Sequence, residues 1–226
     1  MKLRRAIKPD SGDNLWDELD RELPDFARCY IDAARDGGRS AASSLVFAAP
    51  NHWRGLIALA AYYSGVPNPG YREIIRSVWN HDHDELLSVT ENNIPLIRRM
   101  LRAADFRHPF SGRTAIYRGA SGVNLAQATK GLAWTSSWRI ACWFACRFAT
   151  ETRPPIVVKA SVDAADVIYW DNSRKEQEVI LRTSPTGVLD HRQEKWTQSY
   201  TRVVDARHRA AQLRLKHAAK SRPPQH

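Results

Sequence analysis

Long apolar runs are missing from this chain of 226 residues. No stretch is long enough to cross a bilayer, so no membrane anchor is expected. The basic opening MKLRRAIKPD runs into SGDNLWDELD, where a secretory leader needs an apolar segment, and the expected compartment is therefore the cytoplasm. Cysteine is scarce too. Cys29, Cys142 and Cys146 are an odd number, which excludes a disulfide framework and predicts reduced thiols in or near the core. Cys142 and Cys146 lack a second Cys or His pair, which argues against zinc. HDHDE, His81 to Glu85, holds metal-ligating residue types in an alternation that suits neither one helical face nor a ligand spacing; it reads as a polar helix junction, and no metal is expected. GxxxxGK and GxGxxG are absent, so nucleotide binding by the folds that use them is not indicated.

What is present is enough apolar material for a core and an uneven charge. Hydrophobic residues make up 43% of the chain, and the net charge is +10. Residues 1–110 carry 15 basic and 15 acidic side chains, whereas residues 111–226 carry 19 and 9. All of the excess thus lies in the second half, much of it beyond residue 190. Such a half points to a polyanionic partner, nucleic acid above all, or to a solvated basic tail.

The texture divides at the same place. NLWDELDRELPDFARCYIDAARDGG has helical apolar spacing, a predicted break at Pro24 and a stop at Gly37 and Gly38. NHWRGLIALAAYYSG, GYREIIRSVWN and IPLIRRMLRAADF predict further helices. From Ser111 the runs shorten and become β-like: TAIYRG, IVVKASV, DVIYW, EVILR and SYTRVVDA. Between them SSWRIACWFACRFA predicts a helix capped by Ser136 or Ser137, with Ile140, Ala141, Phe144 and Phe148 as its buried stripe. The expected class is α+β: a helical N-terminal lobe over 1–110, a β-rich core over 111–205 and a basic tail over 206–226.

Three motifs in the β half stand in order: IYRG with Arg118, GLAWTSSWRIACWFA with Trp134, Thr135 and Ser136, and RKEQEVIL with Glu176 and Glu178. In an extended strand the two glutamates share a face, which is either solvent or a cleft. In this order, with these flanks, the motifs resemble the mono-ADP-ribosyltransferases of the arginine, serine, glutamate class over residues 110–205. The resemblance implies a mixed β-sandwich core that binds NAD in a cleft. It implies a transferase, of the kind found in toxins and anti-phage effectors, that moves ADP-ribose to a macromolecular acceptor, with an antitoxin or chaperone as a further partner.

Under the resemblance each residue takes a role. Glu178 stabilises the oxocarbenium character of the ribose as nicotinamide leaves. Glu176 meets the acceptor as base or orienter. In the family a glutamate there accompanies arginine acceptors, while the charge of this half favours RNA or DNA. Arg118 offers a planar fork of donors to the diphosphate of NAD. Trp134 is either a nicotinamide-stacking ring or a core residue. The family's leading serine falls on Ala133, so Thr135 or Ser136 is the expected source of a hydroxyl for Glu178. Trp170, Arg174 and Lys175 lie in the segment that recognises the acceptor, suited to stacking on a base and to phosphate contact. Two alternatives remain: a glycohydrolase that passes ADP-ribose to water, and a nonenzymatic nucleic-acid-binding protein on the same fold, motivated by Ala133.

Overall fold

A computed structural model describes residues 12–202 and 204–205; the expected basic tail over 206–226 lies outside them. The chain divides into two compact units between His108 and Pro109.

All of the regular elements described in unit 1 are helices. The predicted first helix is cut at Pro24, as the missing N–H of proline dictates: α1 (Gly12–Glu22) ends before it, and α2 (Asp25–Arg28) starts after it. Then come α3 (Ile31–Arg35), α4 (Arg39–Ala48), α5 (Asn51–Tyr63), α6 (Gly70–Val89) and α7 (Ile94–Ala103). α5 is apolar on nearly every side and buries Leu56, Ile57, Ala58, Leu59, Ala60 and Ala61. HDHDE falls inside α6, where Asp82 leaves helical geometry (φ −144°, ψ 41°). The kink points Asp82 at Arg54 of α5, 2.6 Å away in an almost fully buried ion pair. Among the described residues no group of three or more His, Cys, Asp or Glu is placed to hold a metal ion. None of their helices is long and apolar enough to cross a membrane.

Unit 2 is built on one six-stranded sheet, β1 (Arg113–Ser121), β2 (Ala133–Thr135), β3 (Pro155–Asp163), β4 (Val167–Asp171), β5 (Glu178–Leu181) and β6 (Val188–Leu189). Their spatial order is β4-β5-β2-β1-β3-β6, and every pairing is antiparallel. The strands therefore form one continuous antiparallel ladder where the resemblance implied a mixed sandwich. Alternation sorts the side chains onto two faces. One face carries Ile116, Trp134, Val158, Ala160, Val162, Val179 and Leu181, a single apolar cluster joined by Ala128 of α8 (Leu125–Lys130). The other carries Val157 against Ala141, Cys142 and Ala145 of α9 (Trp138–Cys146), with Trp196 beside them.

α9 departs from its predicted stripe by one position. Gly119 is the reason: a Cβ there would collide with the carbonyl of Ala141, so the helix backbone rides directly on β1. Only small side chains fit beneath it, and Ala141, Cys142 and Ala145 are the buried ones. Phe148, expected inside, is 60% exposed. SYTRVVDA also departs, because residues 193–202 form a helix, α10, instead of a strand. Its β-branched residues suggested a strand, but Trp196 and Ser199, three apart, are the two that turn inward, and that is helical spacing. α8 was not expected at all, although its capping box was in the sequence: Asn124 accepts from Gln127 N at 2.9 Å while the Gln127 side chain accepts from Asn124 N at 3.0 Å.

Candidate functional site

Thr135 is the joint of the site. It ends β2, opposite Tyr117 of β1 on one side and Glu178 of β5 on the other. Its hydroxyl donates to the backbone carbonyl of Glu176 at 2.7 Å and accepts from Ser137 N at 3.0 Å. Ser136 continues the fastening, with its N–H donating to Gln177 O at 3.1 Å and its hydroxyl to Gln177 Oε1 at 2.9 Å. Ser137 is the cap of α9, accepting from Ile140 N at 3.4 Å. The expected hydroxyls thus reach the glutamate loop through Glu176 O and the Gln177 side chain, and they set its path.

The loop between β4 and β5 is wound, not extended. Lys175 (φ 59°) and Gln177 (φ 49°) both adopt left-handed backbone, on either side of Glu176. Neither is glycine, so each costs about 1 kcal/mol that surrounding bonds must offset. Asn172 Oδ1 accepts from Gln177 N at 3.3 Å, and Asp171 Oδ1 accepts from Ser173 N at 2.7 Å. The predicted alternation of Glu176 and Glu178 along one strand therefore fails, because β5 begins only at Glu178. Their carboxylates converge nonetheless. Arg174 Nη2 lies 3.0 Å from Glu176 Oε2 and 3.0 Å from Glu178 Oε2. Glu178 is buried, at 8% exposure, while Glu176 is half-buried. Arg174, expected to face an acceptor phosphate, is instead the counter-ion of both glutamates; Lys175 beside it is exposed.

Arg118 reaches the region from the other face. It stands opposite Val158, so its side chain leaves the sheet with Ile116 and the apolar cluster, whereas Tyr117, Thr135 and Glu178 share the opposite face. The guanidinium folds back to donate from Nη1 to the carbonyl of Ala133 and lies against Gly131, where a Cβ would collide with it. Its Nε is buried with no hydrogen-bond partner. Burial lowers its pKa from the ordinary arginine value, and the negative charge of Glu178 works in the opposite direction. Glu178 is thus within electrostatic reach of Arg118. Trp134 is part of the core: it is 3% exposed, and its indole donates to Gly131 O at 3.1 Å. Trp170, opposite Val179, is half-buried against the same cluster.

Sequence reasoning missed a second polar centre. Asp190, almost fully buried, accepts from Trp138 Nε1 at 2.7 Å, Trp196 Nε1 at 2.9 Å and Arg192 Nε at 2.9 Å. Burial alone raises its pKa, but the three donors together outweigh burial and hold the carboxyl below the usual carboxylate range. Arg192 also stacks over Trp138, with its Cζ 4.3 Å from the ring centroid. The only advance sign was an acid placed near several tryptophans. Nearby, burial pushes the Cys142 thiol up to about 12, which marks it as a packing residue and not a nucleophile.

No family model matches the chain, and no curated protein or solved structure is significantly similar to it.

Proposed function

We propose that unit 2 is an NAD-dependent mono-ADP-ribosyltransferase that acts on a macromolecule as a toxin or defence effector. The observation that carries this reading is the convergence of Glu176 and Glu178 on one guanidinium nitrogen, with Glu178 buried opposite Thr135 and in electrostatic reach of Arg118. A nearly buried carboxylate is expensive unless paired, and one that must face a cationic sugar has a reason to be kept charged.

In the reaction the bond between ribose C1′ and the nicotinamide nitrogen breaks, and its electron pair leaves with nicotinamide. Glu178 stabilises the positive charge left on the sugar. The acceptor's nucleophile forms the new bond to C1′ while Glu176 takes its proton. Arg174 pairs with both carboxylates before the sugar arrives and gives up its place to it. To take the diphosphate, the Arg118 guanidinium, which leaves the sheet on the face opposite Glu178 and is bonded to Ala133 O, must turn out of the apolar cluster. The charge of residues 111–226 favours a nucleic acid, RNA foremost, as the acceptor.

The test is release of nicotinamide from NAD by the full chain. Glu178→Gln keeps the shape and removes the charge, and should lower the rate by at least a hundredfold, consistent with loss of a transition-state charge partner. An unchanged rate in this variant rejects the assignment. Radiolabelled NAD with a lysate separated into nucleic acid and protein then identifies the acceptor; label confined to protein contradicts the nucleic-acid reading.

A further inference from the structure

The outward side of α9 has no part in the chemistry above, yet its composition is unusual. Arg139, Trp143 and Arg147 follow at helical spacing of four, and the two arginines are exposed. The guanidinium carbon of Arg147 lies 4.6 Å from the Trp143 ring centroid, 4.9 Å from that of Phe144 and 4.4 Å from that of Phe148. Trp143 and Phe144 meet edge to face at 5.0 Å, and Phe148 is 60% exposed. From Ser136 to Thr150 the chain carries both arginines and no acidic side chain.

We infer that this ridge binds single-stranded nucleic acid. Stacking engages the face of a guanidinium and leaves its in-plane N–H groups directed along the edge, so Arg147 is held ready for a phosphate with little rotamer freedom left to lose. An exposed ring, Phe148, beside the fixed Arg147 and the half-buried Trp143 and Phe144 is the combination on which an unpaired base stacks while the backbone is neutralised. The ridge from Arg139 to Arg147 is ~12 Å long, at the rise of an α-helix. An acidic peptide would satisfy the arginines but leave the rings unused, and an apolar partner would bury the cations; nucleic acid uses both. The inference does not depend on the NAD reading, because binding is measured without NAD.

Fluorescence anisotropy of the full chain with a short fluorescein-labelled single-stranded RNA, over a range of salt, tests it. The double variant Arg139→Gln, Arg147→Gln should bind roughly tenfold more weakly and lose about 1.4 from the slope of log Kd on log salt, ~0.7 for each phosphate contact. Phe148→Ala, at an exposed position, should weaken binding about tenfold with the slope unchanged. Thermal melts confirm that each variant is folded. Wild-type affinity and slope in both variants overturn the inference and assign any binding to the basic residues that follow Ala206. Loss of binding to a polyglutamate peptide with RNA binding intact overturns it in favour of an acidic protein partner.

Discussion

Replacing Asp190 tests whether one carboxylate ties α9, α10 and the sheet together. Oδ2 accepts from both indoles and Oδ1 from Arg192, and the Asp190 N–H donates to Val157 O of β3 at 2.9 Å. Asp190→Ala leaves the Trp196 indole, in a residue only 5% exposed, without its acceptor, and strips the partly buried Trp138 of the same partner. Each bond to a charged acceptor is worth about 1.5–3 kcal/mol. Arg192 is 41% exposed, so its pair adds well under 1 kcal/mol after solvent screening. The expected loss is about 3–6 kcal/mol, or roughly 10–30 °C in the melting transition of unit 2. Asp190→Asn keeps an oxygen acceptor and loses the charge, and should cost about 1–2 kcal/mol. Its pH dependence has a definite sign. The native carboxyl ionises below its ordinary range, so its contribution is complete above the unfolded value of ~3.9 and fades as the pH falls through the lower native value. The gap between wild type and Asp190→Asn should therefore close below pH ~4. Scanning calorimetry against pH, with tryptophan fluorescence as a second probe, measures both quantities. A Asp190→Ala protein within ~0.5 kcal/mol of wild type would refute the clasp.

Two further outcomes are expected. Thr135→Val removes the hydroxyl that holds Glu176 O and Ser137 N, and nicotinamide release should fall about tenfold while unit 2 loses only about 1–2 kcal/mol; wild-type turnover would show that the loop keeps its path without Thr135. Arg54→Ala leaves Asp82 buried and uncompensated in unit 1, for a loss of about 3–5 kcal/mol by urea unfolding, and Arg54→Ala with Asp82→Ala should recover part of it; no recovery would mean that the pair is not the cause.

The helices of unit 1 and the strands of unit 2 were legible because their apolar residues repeat with the right period. What escaped was set by distant partners. SYTR, the described start of SYTRVVDA, is a strand by local preference and continues α10 once Trp196 has Asp190 to bind. The stripe on α9 follows from Gly119, some twenty residues earlier, and no window centred on the helix contains it. Thr135, Glu176 and Glu178, singled out by their order along the chain, are brought together by the pairing of β2 with β5. That Arg174 would join the two glutamates was not legible, since the joining depends on two left-handed residues that neither glycine nor asparagine announces. The two tryptophans Trp134 and Trp170 look alike in sequence, and only the sheet register assigns both to the apolar face.

Ala133 shows how a position can matter without its side chain. What Arg118 holds there is the carbonyl, and the hydroxyl work next door is done by Thr135 and Ser136. Any small residue supplies the same carbonyl, so this position is free to drift. A saturation library selected for nicotinamide release would find serine, glycine and alanine interchangeable at 133, while any side chain at 131 would first have to displace the Arg118 guanidinium from its place against the bare Cα.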